Sequence, residues 1–346
     1  MRCGLYTRCM SMDALSAHLD RGWDLLRTND FAGARISALA AKKLDPDSPE
    51  ALCLLGAIAA GEGAEDDALQ LYRQAMKLDG EYVAPMLYAA EILVWPREEY
   101  DEALHLIDRA LDTAEEEEDY LDALLLKAEA LASMGEDGDA RVVLAELPPV
   151  DFPEAGFHLR AARSYLDLDM ADEAEAHYQK ALKLEESADA YHGLGMVYEA
   201  REDVRAMVRC WLKVRELDLE DEPMPWSFSQ DDFEKVAEEA LAELPDRIRT
   251  LLANVPIVAS DYPSIEIIAE GNDPRMMGFF SGVPYPDKAN VGSVPHLDCV
   301  FLYQKNIERM VKTRDEAARE IRITLLHETG HFFGLSEEEL DEMGLG

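Results

Sequence analysis

Along the first 220 residues, apolar and polar positions follow a 3.6-residue period in paired segments that repeat down the chain. In the second segment of each pair a small residue is followed four positions on by a larger one and three later by another small or apolar one. The series reads Ala34/Ala38/Ala41, Ala68/Tyr72/Ala75, Ala103/Ile107/Ala110, Ala140/Leu144/Leu147, Ala174/Tyr178/Ala181 and, more degenerate, Met207/Trp211/Val214. Its leading residues are spaced 34, 35, 37, 34 and 33 apart. The first segments carry their own signature, clearest in "LLGAIAA" (54–60) and "GLGMVYEA" (193–200). Small residues let two helices approach closely and the larger one fills the gap, so the pattern predicts six helical hairpins. Tyr165, Tyr191, Tyr198 and Trp211, at helical spacing, read as core. The isolated His18, His105, His158, His177 and His192 read as core or surface rather than as ligands.

The pattern breaks at "EDEPMPWSFSQ" (220–230), whose prolines and lack of period predict a linker. A short amphipathic helix follows, with Phe233, Val236, Ala240, Leu241 and Leu244 on one face. Next come the apolar runs "VPIVAS" (255–260), "SIEIIAE" (264–270) and "CVFLY" (299–303), which predict short strands, with a loop-rich stretch over 271–298. A long final helix is well marked: Thr313 and Glu316 form a capping box, the helix runs over 314–333, and Gly334 is its left-handed stop. Apolar residues on both flanks (Ile321, Leu325, Phe332; Ile323, Leu326, Phe333) predict burial under the sheet.

That helix carries His327-Glu328-Thr329-Gly330-His331. Imidazoles at i and i+4 lie one above the other and point their nitrogens at a single ion, the arrangement of catalytic zinc sites. Zinc lowers the pKa of a bound water to about 7, and a glutamate beside the first histidine is placed to take that water's proton and return it to a leaving amine. Only 15 residues follow His331, which excludes a ligand from a second, distant downstream helix. A sharp turn at Gly334 returns Glu337 in the spacing HExxHxxGxxE, with Glu338 and Asp341 as alternatives on the same segment. His296 is the other histidine of this region, and Glu320 and Thr324 share the metal face of the helix, where they could orient an imidazole.

A period near 34 with this small/large/small pattern resembles the tetratricopeptide repeat, over about residues 13–221. It departs at "VWPREEY" (94–100) and "LPPVDFP" (147–153), where widened turns are expected. The resemblance implies a solenoid whose groove takes a protein or peptide partner. "GFFSGVP" (278–284), "VFLYQKNIER" (300–309), "EAAREIRITLLHETGHFFGLSEEELDEMG" (316–344) and a helix leading to "NVPIV" (233–258) together resemble the bacterial minimal zincin-like metallopeptidases, over about 231–346. This second resemblance implies an active-site helix under a small sheet. It carries over His327, His331 and Glu337 as zinc ligands and Glu328 as the catalytic glutamate. The chain departs in having Glu337 where aspartate is usual and no methionine turn, Met343 lying too close.

The expected organisation is a disordered tail (1–11), a repeat solenoid (12–221), a linker (222–230) and a zincin-like domain (231–346). The expected function is zinc-dependent peptide-bond hydrolysis in an open cleft, with the repeats recruiting the substrate. The alternative is a non-catalytic scaffold in which zinc holds the small domain together. Charge narrows the partners: 33 Lys and Arg against 72 Asp and Glu leave a net charge of −39, which disfavours nucleic acid and anionic membranes and favours neutral or basic proteins. Five scattered cysteines, none in a CxxC pair, fit reduced thiols in a cytoplasm, with Cys53 and Cys210 in core positions and Cys3 and Cys9 in the tail. The N-terminus lacks the apolar stretch of an export signal, and no run approaches a membrane span.

Overall fold

The computed structural model describes residues 3–95, 97–148, 152, 154–244, 246–253, 255–285 and 298–342; the side chains of residues 3–13, Arg247, Glu337, Asp341 and Glu342 lie outside that description. His296, Met343 and the side chains of Cys3 and Cys9, weighed above, therefore fall outside the described residues. The chain forms two compact units, Met1–Leu184 and Glu185–Gly346.

The first unit is a run of helix pairs: α1 (Cys3–Arg27) with α2 (Phe31–Leu44), α3 (Pro49–Gly61) with α4 (Glu65–Leu78), α5 (Ala84–Val94) with α6 (Tyr100–Thr113), α7 (Glu117–Ser133) with α8 (Asp137–Leu144), and α9 (Ala155–Asp167) with α10 (Ala171–Leu184). α1 begins inside the stretch expected as a tail. The repeating stripe is the core: Ala34, Ala38, Ala41, Ala68, Tyr72, Ala75, Ala103, Ile107, Ala110, Ala174, Tyr178 and Ala181 are all buried. Gly56 of α3 explains why the larger residue fits, because a Cβ there would strike the ring of Tyr72. Leu147 departs from the pattern. α8 stops at Leu144, ahead of the proline-bearing segment, and leaves Leu147 only half-buried beyond the helix. Burial pushes the Cys53 thiol up to about 12, as befits an inert core residue.

One residue in the turn inside each pair adopts the left-handed conformation: Asn29, Gly63, Glu98, Gly135 and Asp169, and Glu202 in the pair of the second unit. Each precedes the first small residue of its stripe by the same interval, so the turn repeats with the helices. In all six the next residue's N–H reaches back to a carbonyl of the preceding helix, as in Ala64 to Ala59 and Glu136 to Leu131 at 2.8 and 2.9 Å.

The second unit begins with the last pair, α11 (Ala188–Ala200) and α12 (Val204–Asp218), in which Gly195 makes room for the buried Trp211. Then follow α13 (Gln230–Glu243), α14 (Asp246–Leu252), β1 (Ile257–Ser260), α15 (Ile265–Ala269), β2 (Gly278–Ser281), β3 (Cys299–Tyr303), α16 (Gln304–Arg309), α17 (Arg314–Phe332) and α18 (Glu337–Glu342). The sheet order is β1-β3-β2, with β1 parallel and β2 antiparallel to β3. Two expectations change here. "SIEIIAE" is a helix because Ser264 caps it, accepting from the Ile267 N–H, whereas "GFFS" inside the presumed loop is a strand.

α17 packs on β2, β3 and α13 around Phe233, Val300, Leu302, Ile321, Leu325 and Phe332. Ile321, Leu325 and Phe332 are buried, while Ile323, Leu326 and Phe333 on the other flank are only half-buried. Segment 219–229 is fastened to this core: Phe228 is buried under the Arg314 guanidinium, 4.2 Å from its ring centre, and its N–H donates to the buried Glu308 at 2.8 Å. Glu308 also accepts from Ser227, Gln304 and Lys305, and this set of donors holds its carboxyl below the usual range despite burial.

Candidate metal centre

Thr313 caps α17 with the full capping box, and Phe333 closes it. Gly334 follows at φ 80°, the Leu335 N–H bonds to the Gly330 carbonyl (3.1 Å) and the Gly334 N–H to the His331 carbonyl (3.0 Å). This is the Schellman pattern, and it reverses the chain where the motif requires it. Ser336 and Glu339 then cap α18 reciprocally, and Leu340 is fully buried against Gly330, where any Cβ would collide with it. Gly330, inside the motif, is therefore the seat of the returning helix. Glu337 occupies the first position of α18, with its side chain outside the description. Glu338 is exposed, and Glu339 is engaged in the cap.

His327 and His331 turn their Nε2 atoms to the same point, 2.9 Å apart. His331 Nδ1 lies 3.3 Å from the Leu335 carbonyl, which accepts its proton and so makes Nε2 the acceptor nitrogen of the ring. The turn residue after Gly334 thus orients the His331 imidazole as well as ending the helix. Two imidazole nitrogens on one focus, one with its tautomer fixed, suit a zinc ion. Among the described residues no three His, Cys, Asp or Glu side chains gather at one point, and the Glu337 side chain lies outside the description.

Glu328 is buried, 6% exposed, and faces β2. A Cβ on Gly278 would lie 2.7 Å from both Glu328 Cγ and Thr324 Cγ2, so only glycine lets this strand and the glutamate meet. The Tyr303 hydroxyl is buried without a hydrogen-bond partner among the described residues, and burial, then the nearby Glu328 carboxylate, raises its pKa. The hydroxyls of Thr324 and Thr329 are likewise buried with no partner among the described residues. A cleft of about 410 Å³ opens between residues 276–280 and Glu320, Ile323, Thr324, His327, Glu328 and His331. The structure thus brings Glu320 and Thr324 to the same cleft as the motif. Gly278, Gly330 and Leu335 were not singled out from the sequence. Their roles arise from close approach and main-chain geometry, which leave no residue-type signature.

Residues 252–346 match the family model of zincin-like metallopeptidases, and residues 19–82 and 155–187 match models of the tetratricopeptide repeat. No curated protein matches the chain. Among solved structures, Pseudomonas aeruginosa PilF is similar at 16% identity and a TM-score of 0.50, covering 61% of this chain and 95% of its own. PilW, a type IV pilus biogenesis factor, aligns at 19% identity and a TM-score of 0.49 over 60% of this chain and 95% of its own. A tetratricopeptide-repeat protein from Parabacteroides merdae aligns at 15% and 0.45, over 64% and 82%. At such identities the likeness concerns the repeat fold alone. The chain therefore joins tetratricopeptide repeats, within 19–187, to a zincin-like metallopeptidase domain at 252–346.

Proposed function

We propose that the protein is a zinc-dependent peptidase whose repeats recruit a protein substrate. The observation that carries this reading is the convergence of the His327 and His331 Nε2 atoms beside a buried Glu328, at a strand edge. His327, His331 and Glu337 would hold the ion. When bound, zinc supplies a Lewis acid that brings the pKa of a water to about 7. Glu328 takes a proton from the attacking water and delivers it to the leaving nitrogen, and its burial keeps competing water away. β2 pairs only with β3 among the described residues, so its outer edge offers main-chain donors and acceptors to an extended peptide lying in the cleft.

Recruitment rests on the first unit. A cavity of about 450 Å³ there is walled by Glu116, Glu117, Glu118, Asp122 and Glu154, which outnumber its one cation, Arg160, with Phe152 and Phe157, a lining suited to a basic or neutral partner. Burial outweighs the pull of Arg160 and, with a smaller repulsion from neighbouring carboxylates, holds the carboxyls of Glu91 and Asp122 above their usual range. No helix among the described residues is long and apolar enough to cross a membrane. The scattered cysteines support a cytoplasmic site of action.

The test compares full-length wild type with Glu328→Gln on fluorescently labelled unfolded casein, with zinc measured in both. Cleavage falls by about 10²–10⁴ with zinc content unchanged. Equal cleavage by the two proteins overturns the peptidase reading, and equal zinc without any hydrolysis favours the scaffold.

A further inference from the structure

Residues 273–277 lead into β2 and supply part of the cleft wall, and each is tied down from outside its own segment or across the sheet. The Asp273 carboxylate faces His192 Nε2 at 3.0 Å through both oxygens. The carbonyls of Pro274 and Met276 accept from Asn306 Nδ2 at 2.8 and 2.7 Å, and that of Met277 accepts from the Tyr303 N–H at 2.8 Å. Arg275 donates to Asp189 at 2.7 Å and forks onto Asp218 through Nε and Nη2 at 3.2 Å each. The Asp218 side chain is 2% exposed and also receives Arg309 at 2.8 Å.

Asp189 and His192 belong to α11, and Asp218 to α12. The stacking of a repeat requires only its apolar stripe, here Met207, Trp211 and Val214. A buried carboxylate gripping a planar guanidinium does something else: it fixes both the position and the orientation of the chain that bears the arginine. Arg275 stands three residues before Gly278, the point of closest approach to Glu328.

We propose that the last repeat hairpin, α11–α12, is a positioning element of the cleft, with Asp218 and Arg275 the positioning residues that set β2 against Glu328. This rests on the reading of the cleft as the peptidase site. The repeat nearest the domain is then part of its working structure, and strain at α11–α12 reaches the substrate strand directly.

The test uses full-length Arg275→Lys, which keeps the charge but loses the fork, and Asp189→Asn, which removes the charge of the arginine's other carboxylate partner and leaves the fork on Asp218 in place. Asp218→Asn is the stronger variant. Amide exchange over 276–281 is expected to accelerate by about tenfold or more in Arg275→Lys, and less in Asp189→Asn, while α17 keeps its protection and zinc content is unchanged. On labelled unfolded casein, KM rises more than kcat falls. Unchanged exchange at 276–281, with any loosening confined to 188–218, overturns the proposal and leaves the contacts merely structural. If wild type and Glu328→Gln cleave alike, the peptidase reading fails separately, and the exchange result alone decides whether α11–α12 positions β2.

Discussion

At Gly278 a single hydrogen decides how near β2 comes to α17. An alanine methyl there would press on Glu328 and Thr324 at 2.7 Å, and neither can retreat, because both are buried. Gly278→Ala is expected to destabilise the protein by about 1–3 kcal/mol in urea titration and to lower cleavage while zinc remains. The histidines and Glu328 of the site were legible in the sequence because the spacing of five residues on a helix determines which side chains share a face. Gly334 was legible for the same local reason. Gly278 was not, since its requirement comes from a helix that lies far along the chain. The Arg275–Asp218 pair, 57 residues apart, was hidden for that reason too.

The left-handed turn is adopted by four residue types, Asn, Gly, Glu and Asp. Gly63 and Gly135 adopt it without strain, while Glu98 and Glu202 sit at φ 56° and 58°, where a Cβ crowds the following carbonyl. Glu98→Gly and Glu202→Gly are each expected to raise stability by about 0.5–1 kcal/mol, the relief of strain outweighing the entropy that glycine adds to the unfolded chain. Thermal unfolding measured by circular dichroism checks both. At this scale the helices were legible from period and caps, Thr313 above all. The short elements were not: "SIEIIAE" is apolar enough for either state until Ser264 caps it, and four residues of β2 carry too little pattern to announce a strand.

Across the whole molecule, acid separates the two units. In the first, His158 and His177 bring their Nδ1 atoms to 3.2 Å, and burial, with His158 and Lys180 adding to it, lowers His177 to about 4. The folded unit therefore keeps this imidazole neutral while the unfolded chain protonates it near 6.5. Stability due to His177 is intact above that value and is lost as pH falls from about 6.5 towards 4. In the second unit, Asp273 and Glu308 are held below the usual carboxylate range, by His192 and by Ser227 and Gln304 respectively, each against the opposing effect of burial. Their contribution is present above the unfolded carboxylate pKa and declines only at lower pH. Differential scanning calorimetry of wild type and His177→Gln at pH 7 and 4.5 is expected to show the wild type's advantage shrinking on acidification, in the transition of the first unit. A constant difference would refute the linkage. The outer edge of β2 has a kinetic consequence. Four residues present only two outward-facing pairs of N–H and C=O groups, so a chain laid along them dissociates quickly. Under the peptidase function proposed above, selectivity becomes a matter of dwell time: many chains would touch the strand, and only those retained elsewhere on the molecule would stay long enough to be cut.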